Sequence, residues 1–457
     1  AALASTDPAT ALNPFTSGAP GTSQVLGSLM NPDSSIVLDD EIVSGLGTVR
    51  GPLFNLPAGA VLAVIGGEFN REKQDTVVAG LESLYLHRNA YAAFGEARVP
   101  LLAEGGPAQR HERLTLTFAG RYDHSDDYGG KPTWQSALQW RPFDVFSVTG
   151  SYGTSYKEPK LDQISGPQTS SVGPQFVTDP FRGNEVEGYN VTAVTGPNYN
   201  LKPETGASSS LRIEYSNDAS TGLRASLTWY DLKISRYIGF PQLQVLVDFP
   251  NLFPGAVVRA PATPQDIQMG FLGVITQLND TYYNFGDIHV DGFDADASYV
   301  IDTRLGQFTP SIAVANIYRW RAALTPNAPI IDGINQATIY SVGWSPRWKG
   351  TAALVWKRGP ISANIAGRYI GRYLDYQATV PNANEIGNTW VFDCNARYEV
   401  GQAFAGRVPS LAGAYVSLGA VNVFNKIPPF SFNSTWYDIQ EYDIRGRYVH
   451  LGAGVRF

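Results

Sequence analysis

The last eleven residues, Arg447 to Phe457, alternate without a break. Val449, Leu451, Ala453, Val455 and Phe457 are apolar, and Tyr448, His450, Gly452, Gly454 and Arg456 between them are polar or small. A period of two puts the two sets on opposite faces of one β-strand. Such a strand needs apolar surroundings on one side and polar surroundings on the other. The pattern recurs. Leu114, Leu116, Phe118, Gly120 and Tyr122 alternate with Thr115, Thr117, Ala119, Arg121 and Asp123. Trp390, Phe392, Cys394, Ala396 and Tyr398 alternate with Val391, Asp393, Asn395, Arg397 and Glu399. Period two over so many segments means strands, not helices.

At 457 residues the chain exceeds one ordinary soluble core. Only 16% of it is charged, against about 25% in soluble domains. Aromatics reach 12% and glycines number 46. No apolar run reaches the roughly 18 residues of a membrane helix. A charge-poor, Tyr- and Gly-rich chain of alternating strands points to an all-β fold, a transmembrane antiparallel β-barrel of the bacterial outer membrane. About fifteen strands are expected, at 35–49, 58–70, 83–99, 112–124, 132–142, 145–157, 205–216, 221–236, 285–303, 306–322, 347–357, 360–373, 388–400, 411–424 and 445–457. The connections alternate. One set is mostly short, with 100–111 and 401–410 somewhat longer. The other contains 158–204, 237–284, 323–346, 374–387 and 425–444, with 71–82 and 125–131 as smaller members. Outer-membrane barrels have short periplasmic turns and long extracellular loops. If the last strand ends in the periplasm, every long connection lies outside. Residues 1–34 then form an extracellular loop segment, and 35–457 the barrel portion.

A net charge of −7 without a basic stripe argues against nucleic acid. Cys394 is the single cysteine, on an apolar face. His87, His111, His124, His289 and His450 are scattered and read as isolated polar residues. Asp287, Asp291, Asp294 and Asp296 crowd Gly292, but alternation divides them between two faces of one strand, which argues against a calcium site. No metal site and no cofactor is expected. There is no Gly-x-Ser-x-Gly elbow, phosphate loop or His-Glu-x-x-His, so no catalytic residue is assigned and the chain reads as a non-enzyme.

Four stretches resemble TonB-dependent outer-membrane receptors: Ser151–Leu161 (SYGTSYKEPKL), Asn200–Thr205 (NLKPET), Val421–Pro429 (VNVFNKIPP) and the closing strand to Phe457. Their order also matches that family. The resemblance implies a 22-stranded barrel filled by an amino-terminal plug. No plug-like segment is found here. The chain is therefore expected to supply the carboxy-terminal barrel portion. The plug and about seven strands would come from another fragment or chain, since open sheet edges cannot face lipid. A receptor nicked in an exposed loop and one made as two chains both fit. The implied function is active uptake of a scarce nutrient: a siderophore, a vitamin complex or an oligosaccharide. The implied partners are the inner-membrane TonB complex, reached through the plug, outer-membrane lipid and lipopolysaccharide, and a small-molecule substrate.

Substrate would bind between the outer loops, so loop aromatics and polar groups are the candidates. These are Phe176, Phe181, Arg182, Tyr189 and Tyr199 in one loop, and Tyr237, Phe240, Phe249, Phe253 and Tyr282 in the next. Aromatics with few charges suit stacking on a sugar or a flat aromatic chelate. Self-packing of long loops is the competing reading. Phe457, Val455, Ala453, Leu451 and Val449 are expected to form the assembly signal. Arg121, Asp123, Arg212, Glu214, Asp393, Arg397 and Arg456 should face the plug or luminal water. Trp134, Trp140, Trp229, Trp320, Trp348, Trp356 and Trp390 should form the interface girdle. A passive porin-like channel and a secreted carbohydrate-binding β protein are the rival functions.

Overall fold

The computed structural model describes residues 36–455 except 79–82, 107–109, 218–221, 326–327, 338–342, 377–383, 402–412 and 433–434, with part of the first 29. Fifteen strands form one wall in chain order. They are β1 (Ile36–Leu56), β2 (Gly59–Val78), β3 (Leu84–Glu104), β4 (His111–Ser125) and β5 (Gly129–Phe143). Then follow β6 (Phe146–Lys157), β7 (Glu204–Ser216), β8 (Gly222–Ser235), β9 (Ile288–Thr303) and β10 (Gly306–Ala323). The last are β11 (Trp348–Arg358), β12 (Ile361–Ile370), β13 (Thr389–Tyr398), β14 (Ala414–Val421) and β15 (Tyr448–Val455). Every neighbouring pair is antiparallel, so long connections emerge at one end and short ones at the other. Among the described residues β1 is bonded only to β2 and β15 only to β14, and the sheet stays open.

The register joins like faces. Ile361, Ala363, Ile365 and Gly367 lie opposite Tyr398, Ala396, Cys394 and Phe392. Val449, Leu451, Ala453 and Val455 lie opposite Ala420, Leu418, Val416 and Ala414. Leu451 on this apolar face is 76% exposed, as a lipid-facing position requires. Arg456 and Phe457 lie outside the described residues.

On the polar face the expected charges pair with one another along the wall. Arg121 reaches Glu68 at 2.8 Å and Asp123 at 2.7 Å. Arg368 reaches Asp393 at 3.0 Å, Arg397 reaches Glu399 at 2.7 Å, and Arg212 reaches Glu214 at 3.4 Å. The polar lining is thus largely self-neutralised before anything enters it.

Two expectations need correction. First, β1 to β3 run 20–21 residues, about twice the 9–11 that cross a bilayer. Most of the expected connection 71–82 is strand, and β3 continues to Glu104. Here polar pairs such as Glu41 with Lys73 and Glu72 with Arg88 replace the apolar alternation, so backbone pairing continues where the pattern fades. Second, Trp320 is not a girdle residue. Loop glycines pack on it: a Cβ on Gly333 would come within 2.7 Å of its ring, and one on Gly343 within 2.8 Å. Trp134, Trp140, Trp229, Trp348 and Trp390 do stand exposed on the apolar face. A short helix, Ser23–Leu29, lies inside the leading segment.

Candidate ligand-binding loops

The connections after β6 and β8 are not independent loops. Segments Thr169–Gly173, Val191–Gly196, Val257–Arg259 and Ile275–Thr281 form one four-stranded sheet. Its central pair is parallel, with Val194 opposite Asn279, and so takes one strand from each connection. Val177, Val191, Val247, Ile275 and Leu278 close one small core beneath it. Val245, Leu246, Phe253, Ala256 and Phe285 pack a second core against Ile288, Ala322 and Leu324 at the wall. The helix Pro264–Met269 starts with Pro at its first turn and a reciprocal Thr263–Asp266 cap.

Buried ion pairs stitch the two connections together. Arg259 grips Asp179 through two bonds, Nη1 to Oδ2 at 2.6 Å and Nη2 to Oδ1 at 2.9 Å. Arg182 donates to Asp266 Oδ1 at 2.9 Å and to the Leu272 carbonyl at 2.6 Å, and lies over the Phe271 ring. The stretch Asn200–Thr205 roots the unit. Glu204 accepts the Ile238 N–H at 2.8 Å and pairs with Lys157 at 3.1 Å, while Asn284 holds the backbone of Lys202. That sequence signature is thus a clamp between two loops.

The ten candidate residues fall into three groups. Arg182, Tyr189, Tyr237, Phe249 and Phe253 are committed to the interior of this unit. The Tyr189 hydroxyl accepts the Ile275 N–H at 3.0 Å, and burial raises its pKa. Tyr237 stacks on Phe285, Phe249 lies against the second core, and Phe253 is inside it. Phe240 and Tyr282 pack ring to ring at 4.1 Å. Phe176 and Tyr199 stand well exposed, and Phe181 keeps an open edge beneath Arg259.

A second loop unit joins the connections after β10, β12 and β14. Ala337, Trp344, Tyr373 and Ile386 form its core. Tyr373 and Tyr376 donate to the buried Asp438 at 2.9 and 3.4 Å. Burial, with Asp438 beside it, pushes Tyr373 far up and Tyr376 up to about 12. Glu441 pairs with Lys349 of β11 at 2.7 Å. Phe430, Phe432 and Trp436 form an exposed aromatic cluster that sequence reasoning does not single out; their place in a long connection is the available signal.

His289 is not isolated. Asp231, His289 and Asp291 bring three potential ligand atoms within 4.8 Å of one another. They lie on the face that carries Trp229 and Phe293, beyond those rings. His289 Nε2 is 2.6 Å from Asp231, and Arg319 is 2.8 Å from Asp291. The His289 ring and Arg319 thus lie against the two carboxylates in one polar cluster. Asp294 and Asp296 lie on the opposite face, as alternation requires.

Two solved structures share this architecture. The ferric enterobactin receptor of Pseudomonas aeruginosa matches with a TM-score of 0.62 and 16% identity over 92% of this chain and 54% of its own length. The siderophore receptor PirA of Acinetobacter baumannii matches with a TM-score of 0.60 and 14% identity over 91% of this chain and 54% of its own. The chain therefore spans about half the length of these relatives, and identities this low carry the fold alone. The family described as TonB dependent receptor-like, beta-barrel, matches residues 9–425. Strand order, register, face polarity and this match place the chain in the outer membrane, and it belongs to the TonB-dependent receptor β-barrel family.

Proposed function

We propose that this chain is the carboxy-terminal wall and the ligand-gathering loops of an active TonB-dependent transporter for a ferric siderophore. The observation that carries the reading is the loop architecture. Two long connections fold into one unit with its own cores, rooted by Asn284 and Glu204 and carrying aromatic faces outward. A passive pore has no use for so much ordered structure over one end. The long connections are taken as extracellular. Phe176, Phe181 and Tyr199, with their open faces, are the proposed substrate contacts among the ten candidates. The free edges of β1 and β15 would be closed by further strands of the receptor, because lipid leaves unpaired backbone unsatisfied. Those strands and a plug would belong to another segment or chain, and the plug would engage the TonB complex.

The test is calorimetric binding to the intact receptor in detergent, with ferric enterobactin, cyanocobalamin and maltohexaose as probes. Saturable binding of ferric enterobactin alone, with uptake abolished in a strain lacking TonB, is expected. Selective binding of either other probe moves the substrate class. Steady single-channel conductance without a TonB requirement overturns the transporter reading.

A further inference from the structure

Seven non-glycine residues among those described occupy the left-handed backbone region. Four are asparagines (Asn184, Asn335, Asn422 and Asn425), which tolerate it. Arg236 is the fifth. The other two are Phe176, at φ 54°, and Trp436, at φ 62°. A bulky side chain there is a genuine outlier. Both rings are also exposed, by 71% and 67%.

A buried polar frame imposes each turn. Glu187 is 1% exposed, and its Oε2 accepts the N–H groups of Gln175 at 2.7 Å and Phe176 at 3.2 Å. At the other site the buried Ser431 donates its N–H to the Trp436 carbonyl at 3.1 Å and its hydroxyl to Asp375 Oδ1 at 2.6 Å. Asp375 Oδ2 accepts the Phe432 N–H at 2.7 Å. Phe430 stacks on Trp436 at 6.0 Å and meets Phe432 edge-on at 5.2 Å, so the second site presents three open rings. The two frames share no residue and sit in different loop units. Each uses a buried carboxylate to hold an exposed aromatic side chain at the surface. Strain of this kind is held by the surrounding structure and clusters at ligand sites and switch regions.

We infer that Phe176 and Trp436 are preset contacts for a ligand with a flat aromatic face. Glu187 is the positioning residue for the first, and the Ser431–Asp375 pair for the second. The inference rests on the transporter reading and names two contact points for it. Rings fixed in advance lose little freedom on binding, so stacking is retained in the affinity.

The test uses the intact receptor carrying 4-fluorophenylalanine at 176 or 5-fluorotryptophan at 436, followed by fluorine NMR. The probes are catechol, ferric enterobactin and the non-planar control cyclohexane-1,2-diol. Saturable shifts or broadening at both positions with the flat probes, and none with the control, are expected. F176A and W436A should each weaken ferric enterobactin binding about three- to tenfold. E187A should reproduce the F176A loss, and E187Q, which keeps an acceptor for both amides, should restore affinity. F176G relieves the strained backbone, so it should keep the loops resistant to protease while losing affinity. Silence at both positions towards every probe, or equal response to the control, overturns the inference. Silence with calorimetric binding of ferric enterobactin intact defeats this inference alone. A catechol response without any ferric enterobactin binding keeps the inference and defeats the siderophore reading.

Discussion

Asn284 holds Lys202 by both backbone groups: its Oδ1 accepts the Lys202 N–H at 2.8 Å and its Nδ2 donates to the Lys202 carbonyl at 2.7 Å. Nδ2 also donates to the Arg236 carbonyl at 3.0 Å. One amide side chain thus ties together the end of one loop and both ends of the next. Asn284→Ala removes all three bonds from exposed backbone groups that water can then satisfy, at about 0.5–1.5 kcal/mol of local stability. Limited proteolysis of the intact receptor should show faster cleavage in 158–203 and 237–287 and unchanged cleavage elsewhere. Uniform resistance in the variant would mean that the cores, not the clamp, hold the loops down.

Asp179 is buried and bonded twice by Arg259. Removing one member of such a pair strands the other charge, at about 3–5 kcal/mol. Arg259→Ala and Asp179→Ala should each open the four-stranded loop sheet, read as hydrogen exchange at Val257–Arg259 and Ile275–Thr281. The double substitution should cost less than the sum of the two. Arg259→Lys should not rescue, because an ammonium cannot bridge both oxygens. Additive losses would show that the two groups act independently.

Asp280 supplies a pH dependence. Its Oδ1 is buried without a hydrogen-bond partner, and burial raises its carboxyl pKa to about 6. The folded loop therefore holds the proton more tightly than the unfolded chain does. The resulting stability is fully present below the unfolded value of about 3.9 and is lost as pH rises through about 6. Loop protection measured from pH 4 to pH 8 should fall across that window in the natural protein. Asp280→Asn should flatten the curve and raise protection at pH 8. An identical slope in the variant would assign the titration to another group.

All fifteen wall strands and their faces are legible in the residue order, because the bilayer imposes one rule on every strand. Leu451 and Ile365 must face lipid, and their neighbours His450 and Asn364 must not. Where that rule lapses, legibility lapses. Arg71 to Val78 reads as a loop because its strand lies beyond the membrane and alternates nothing. The loop sheet is hidden for another reason: its central pair joins Val194 to Asn279 across the whole of β7 and β8. His289 looks isolated in the sequence because Asp231 reaches it only through strand register. The strain at Phe176 and Trp436 lies in backbone angles, which no residue identity announces.

Ile365 and Asn364 are adjacent on β12 and point to opposite faces. Ile365 pairs with Cys394 on the apolar side, and Asn364 pairs with Asn395 on the polar side. Arg introduced on the lipid face of a barrel costs about 2–4 kcal/mol near the bilayer midplane. On the polar face it meets water, with Asp393 and Arg397 flanking its partner Asn395 on the next strand. Ile365→Arg should therefore lower the heat-modifiable, folded band recovered from outer membranes, whereas Asn364→Arg should leave it near the level of the natural protein. The comparison is internally controlled, since both variants add the same charge one residue apart. Equal loss in both would mean that the strand tolerates no bulk on either side, and equal recovery would mean that the apolar face of β12 is covered by protein and not by lipid.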